Sequence, residues 1–270
     1  MSTDELPQRT SSSNAPFAWD LVSVALILGV ALGLWEIVVR ARGIPVYLLP
    51  APSLVLKTLA ARADDYGAAA LLTLAQAMGG LSAGLAAGIL IAVLITYWKG
   101  IERGVLALAI LVKATPMVAI APLLTIWFGF GPLPKVILVA LITFFPVLIN
   151  THAGLLAVDE AILALLHSLN ASRWEVFRYA RWPSANPFLF AALKVVAPLS
   201  LVGAVVAEWA GASAGLGRMM WLAYSNLNMP SLFAGIFCLA LMGVGLYGGV
   251  TVAENRTLFW RDSRERREDS

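Results

Sequence analysis

Few side chains in this chain have the spacing that chemistry needs. None of the lysines (Lys57, Lys99, Lys113, Lys135, Lys194) sits in the GxxxxGK[ST] pattern of a phosphate-binding loop, so the chain cannot hold ATP through such a loop. His152 and His167 have no HExxH partner and no cysteine companions, and this supports no metal site. There is no GxSxG turn to expose a nucleophilic serine. Cys238 is the single cysteine; it can close no disulfide within the chain, and its apolar surroundings suit packing. Charges inside apolar runs remain. Lys113 lies about ten residues into one run, near mid-bilayer at about 1.5 Å per residue. Burying it there costs at least about 2.5–3.5 kcal/mol. Two readings stay open: Lys113 lines a polar translocation cavity, or it snorkels or pairs structurally. Glu208 stands beside Trp209 near the end of another run, and Lys194 near its start can snorkel out. Bends in these two runs place Lys113, Pro116, Ser200 and Glu208 near a candidate translocation pathway.

The elements that must position these groups are hydrophobic. Of 270 residues, 60% are hydrophobic and 13% charged, and the mean hydropathy is +0.81. A soluble domain is closer to half apolar and a quarter charged. The long apolar runs predict an all-α polytopic membrane protein with six spans, roughly 20–40, 71–97, 103–127, 134–156, 188–210 and 231–255. With both termini cytoplasmic, the inner segments hold Arg9, Lys99, Arg103, Arg173, Arg178, Arg181, Arg256, Arg261, Arg264, Arg266 and Arg267. The outer ones hold Arg40, Arg42, Lys57, Arg62, Lys135 and Arg218. Eleven against six fits the positive-inside rule. The net charge of +3 is an orientation signal and points to no nucleic acid.

The polar residues 1–18 read as a disordered cytoplasmic tail, 19–258 as the transmembrane domain and 259–270 as a basic cytoplasmic tail. The first span follows a Ser-rich stretch, shows no cleavage site and is expected to be retained. Glu36 and Arg40 form an i,i+4 pair at its end. Pro50 and Pro52 then break the chain, and Ser53 is expected to cap a short surface helix over about 54–63. Gly79, Gly80, Ser82, Gly84 and Gly88 mark a face of the second span for close helix packing. Pro116, Pro122 and Pro146 predict bends in the third and fourth spans.

Residues 158–187 are polar, carry arginines and lie between two apolar spans. Ile162, Leu163, Leu165, Leu166 and Leu169 approach a helical stripe. Asn170 tolerates the left-handed conformation that ends a helix. Ser172 and Glu175 form an S-x-x-E capping box that opens a second helix. That helix is expected to stop before Trp182-Pro183, because the residue before proline disfavours the helical region. The prediction is helix, turn, helix, with Trp174 and Phe177 as anchors for a soluble partner.

These residues resemble the coupling loop of binding-protein-dependent ABC importer permeases. LNASRWEVFRYARWPSANP is similar to that family's LGASRWxxFRxxxLPAALP, with Ala164-Leu165-Leu166 at the EAA position, Asn170 at the glycine and Trp182-Pro183 at the LP. The departures are Ala164 for the family's Glu and Asn170 for its Gly. LLPAPSLV (48–55), residues 113–155 and VVAEWAGASAGLG (205–217) are similar to the nitrate/sulfonate/bicarbonate branch, and IAPLLTIWFGFG and VVAEWAGAS to permeases for thiamine-pyrimidine precursors or riboflavin. The resemblance implies a type I importer permease fold in a bacterial inner membrane. Two copies of the chain would form the pore, and each coupling loop would sit in a groove of one of two cytoplasmic ATP-binding subunits. ATP and Mg would belong to those subunits, with no cofactor here. An extracytoplasmic binding protein would deliver a nitrate-, sulfonate- or taurine-like anion, or a pyrimidine- or riboflavin-type vitamin precursor. Leu169, Asn170, Ala171, Ser172, Trp174 and Phe177 would touch the ATPase. The competing readings are a secondary transporter driven by an ion gradient, with Lys113 and Glu208 as coupling groups, and a membrane enzyme or assembly factor. The first of these would show internal repeats and paired intramembrane acids, and neither is seen in the sequence.

Overall fold

A computed structural model describes residues 16–258 and, among them, only helices. In chain order these are α1 (Pro16–Ala41), α2 (Pro52–Ala61), α3 (Ala63–Tyr97), α4 (Lys99–Ala114), α5 (Met117–Phe128), α6 (Leu133–Leu156), α7 (Glu160–Ser168) and α8 (Arg173–Val176). A π-helical turn (Phe177–Arg181) leads into α9 (Trp182–Trp209), and α10 (Leu216–Ser225) and α11 (Met229–Thr257) follow. Five helical stretches are long and apolar enough to cross a membrane: Val22–Ala41, α3, α6, Arg173–Trp209 and α11. A sixth crossing results if α4 and α5 count as one broken span.

The centre of the fold is α3 against α6 against α9, with α11 flanking α9. Small residues on α3 set the first contact. A methyl group added at Gly84 would lie 2.7 Å from the Ala140 carbonyl oxygen, and one at Gly88 2.8 Å from Val147 Cγ1. Only glycine lets the helices come this close, so the expected seam is real at Gly80, Gly84 and Gly88, whereas Ser82 is exposed. On the other side of α6, a methyl at Gly154 would lie 2.7 Å from Ala185 Cα of α9. α1 is largely unburied and joins the body through its last turns: Trp35 packs on Phe233, and Glu36 takes the Ser53 N–H at 2.9 Å and its hydroxyl at 2.8 Å.

The structure corrects several sequence expectations. α1 begins at Pro16, so the boundary at 18/19 falls inside a helix, while 1–15 and the basic tail 259–270 lie outside the described residues. The surface helix runs over Pro52–Ala61, and Ser53 does not cap it through its own side chain. Glu36 of α1 takes that role, because a carboxylate beside a helix N-terminus satisfies free N–H groups. The second span starts at Ala63, not near 71. The third span is no single bent helix: α4 and α5 meet at 91° around Thr115-Pro116. Pro116 lacks an N–H and holds its φ at −62°, and it forces Thr115 into extended backbone.

The second coupling helix does not stop before Trp182-Pro183 either. The chain runs from α8 through the π turn into α9 without a break. The π turn over 177–181 already interrupts the regular i→i−4 ladder just before Pro183, and this accommodates a proline that lacks an N–H.

Candidate coupling site and the buried charges of the bundle

Asp159 opens α7 by accepting the Ala161 N–H at 2.8 Å. The helix closes at Asn170 with φ 52°. The Asn170 N–H reaches the His167 carbonyl at 3.0 Å and the Ala171 N–H the Leu166 carbonyl at 2.9 Å, the paired bonds of a left-handed helix stop. Ser172 then starts α8 with both halves of a capping box: the Glu175 N–H donates to Ser172 Oγ at 3.3 Å, and the Ser172 N–H to Glu175 Oε2 at 2.7 Å. The turn is thus fixed by local chemistry.

No residue of α7 is buried. Ile162, Leu165 and Leu169 stand exposed at i, i+3 and i+7, one face of the helix that no described residue buries. Trp174 is 66% exposed and Leu169 68%. Asn170 and Ser172 are exposed and Ala171 is half-buried. Phe177 differs. It is half-buried between Trp174 (5.6 Å), Trp182 (6.0 Å) and Tyr97 (6.5 Å), so it supports Trp174 from behind more than it offers a surface. Sequence reasoning recognised the stripe but named only Leu169 from it among the candidate contact residues; Leu165 and Ile162 precede Leu169 by four and seven residues, the helical spacing that sets all three on one face.

The segment is anchored to the bundle. Tyr97 at the end of α3 donates to the Arg173 carbonyl at 3.4 Å, and Arg181 donates to the Leu155 carbonyl at 3.1 Å. A polar chain, buried at Thr96 and His152 and half-exposed at Glu102, ties three helices at this end: Thr96 Oγ1 lies 3.1 Å from His152 Nδ1, and His152 Nε2 lies 3.1 Å from Glu102 Oε1. The sequence reading missed this chain because its members are far apart in sequence.

The candidate pathway residues do not form one constellation. Lys113, in the last turn of α4, is exposed, and its Nζ lies 4.8 Å from the centre of the Phe145 ring; Pro116 is exposed at the break two residues beyond α4. Ser200 is fully buried and donates to the Ala197 carbonyl at 2.6 Å. Glu208 is fully buried at the opposite end of α9 from the coupling segment. It accepts from Thr73 Oγ1 at 2.8 Å and from the Gly217 N–H at 2.6 Å. Two further charges depart from expectation. Lys135, counted among the outer-side charges, is 1% exposed and donates to the carbonyls of Phe130 (2.9 Å) and Gly211 (2.8 Å). Lys194 does not snorkel free but pairs with Glu254 of α11.

A family model accounts for this bundle and its helix-turn-helix. The model of the binding-protein-dependent transport system inner membrane component covers residues 69–258. The chain belongs to that family. Among curated relatives, the formylaminopyrimidine transport permease protein ThiX of Halalkalibacterium halodurans is 33% identical over 84% of this chain and 91% of its own. The riboflavin transport system permease protein RibX of Chloroflexus aurantiacus is 30% identical over 92% and 93%. The taurine transport system permease protein TauC of Escherichia coli is 30% identical over 86% and 87%. The fold is that of solved importer permeases. An inward-facing MetNI methionine ABC transporter chain superposes with a TM-score of 0.64 at 15% identity, over 71% of this chain and 95% of that one. An amino acid ABC transporter chain gives 0.62 at 19%, over 74% and 97%. This permease is therefore a multi-pass membrane protein of the ABC transporter class.

Proposed function

We propose that this chain is the membrane-spanning subunit of an ATP-driven importer. Two copies form the pore in a bacterial inner membrane, with both termini cytoplasmic. Each copy seats its α7–turn–α8 segment on a separate ATP-binding subunit, which supplies ATP and Mg and hydrolyses the nucleotide. A binding protein delivers solute at the opposite, outer end. The observation that carries this reading is α7: a well-capped helix with an exposed apolar stripe and no buried residue needs a partner to cover it.

The solute we favour is a planar heterocycle of the pyrimidine or riboflavin type. Two relatives of high coverage are named for such solutes. Three exposed rings also line up at the outer end: Trp209, Trp221 at 6.0 Å and Tyr224 at 6.1 Å beyond it. Rings at this spacing can stack on a flat solute, and they can equally serve as an interfacial belt. Trp221→Ala separates the two roles, since it lowers uptake of a pyrimidine only if the rings meet solute.

The class is tested by co-expressing the chain with the ATP-binding subunit and binding protein that the reading requires. Co-purification and ATP hydrolysis stimulated by the loaded binding protein support the reading. Transport by the chain alone in liposomes, driven by an ion gradient, overturns it.

A further inference from the structure

The buried charges Glu208 and Lys135 do no job in the mechanism above, yet both converge on one loop. Residues 210–215 link α9 to α10 at the end of the bundle away from the coupling segment. Lys135 holds the start of this loop through the Gly211 carbonyl, and the same Nζ holds the α5–α6 turn through the Phe130 carbonyl. Glu208 and Thr73 hold its far end. Thr73 Oγ1 donates to Glu208 Oε1 at 2.8 Å and accepts the Leu216 N–H at 2.8 Å, while Glu208 Oε2 accepts the Gly217 N–H at 2.6 Å. A methyl group added at Gly217 would lie 2.8 Å from Glu208 Oε2, and Gly215, with φ 116°, leaves the carboxylate no room for a side chain at all. The glycines are there to let the carboxylate in. Between the two clamps only Ser213 and Ala214 are exposed.

α9 joins this clamp to the coupling segment. Its 28 residues form one helix from the π turn to Trp209, with Pro187 and Pro198 inside it, about 42 Å at 1.5 Å per residue. We infer that Glu208, Thr73 and Lys135 are positioning residues that fasten the outer loop and α10 to the α3–α6–α9 body, so that a displacement of the coupling segment is delivered to the outer mouth through α9. The inference rests on the importer reading. A loop fastened by a buried carboxylate and a buried ammonium moves with the helices that carry them, because leaving either group unpaired in the interior is costly.

The test uses the whole complex, with ATP-binding subunits and binding protein, in proteoliposomes. The readout is solute taken up per ATP hydrolysed. Glu208→Met and Thr73→Val each remove the clamp; the expected ratio falls at least about tenfold, the scale of one lost buried polar contact. Thr73→Ser keeps the hydroxyl donor and acceptor in place and keeps the ratio. A merely structural role lowers the amount of complex and leaves the ratio alone, and that result, or a normal ratio in Thr73→Val, overturns the inference. If Glu208→Met is not recovered, Thr73→Val decides. A spin label at Ser213 in a Cys238→Ser background adds a second measurement: immobile with the clamp, mobile in Thr73→Val. If the wild-type complex does not form or hydrolyse ATP, it is the importer reading that fails.

Discussion

At the residue scale, Asn170 carries the coupling turn. Its φ of 52° is open to Gly and tolerable for Asn, and closed to Pro, whose ring fixes φ near −65°. Asn170→Gly is expected to keep uptake and to restore the family's residue. Asn170→Pro is expected to abolish uptake while the protein still reaches the membrane in normal amount, read by immunoblot beside a transport assay; full uptake would mean that the turn transmits nothing. Lys113 is a second case. Its ammonium sits over the Phe145 ring beside the break, an exposed arrangement worth about 0.5–1 kcal/mol. If Lys113 lines a pathway, Lys113→Met lowers uptake at unchanged expression; if it only packs on Phe145, uptake stays normal.

At the scale of elements, the α3–α6 seam and the cap of α8 are the parts a single change can break. Gly84→Leu drives a side chain into the Ala140 backbone, which cannot yield as a side chain would. Overpacking of this kind costs about 1–3 kcal/mol or more, and the expected outcome is a lower melting temperature in detergent. Ser172→Ala removes one half of the capping box and costs about 1 kcal/mol locally. Because α8 is short, the expected consequence is fraying of the coupling segment, detected as faster amide exchange over 172–177 with the rest of the bundle unchanged. Periodicity made the long helices legible and capping chemistry made the coupling turn legible. The 91° break at Thr115-Pro116 was readable only as a bend, because proline removes a bond and a conformation without saying where the freed segment then packs. The smooth passage of Trp182-Pro183 into α9 escaped the sequence for a related reason: a π turn is a tertiary accommodation that no local propensity announces.

At the scale of the whole molecule, the stripe of Ile162, Leu165 and Leu169 stands exposed on a segment outside the long helices of the bundle. Replacing Leu165 and Leu169 together by Glu puts two carboxylates on that stripe. The expected result is loss of the ATP-binding subunit on purification, with the bundle still folded by circular dichroism. Retention of a stoichiometric ATPase would show that the stripe is not the docking face.

The sequence by itself determined the membrane class, the apolar spans other than the broken third, the capped turn between Asn170 and Glu175 and the family it resembles. Each of these depends on local composition, spacing or capping, and local rules are written along the chain. Only the tertiary structure decided what the charges do. The sequence offered Glu208 as a pathway residue, Lys135 as an outer-side charge, Lys194 as a snorkelling side chain and His152 as no metal ligand. Their places in the fold differ from this because their partners, Thr73 and Gly217, Phe130 and Gly211, Glu254, and Thr96 with Glu102, come from other turns and helices that only packing brings within hydrogen-bond reach. A charge in an apolar interior is defined by what pairs with it, and that pairing is a property of the fold.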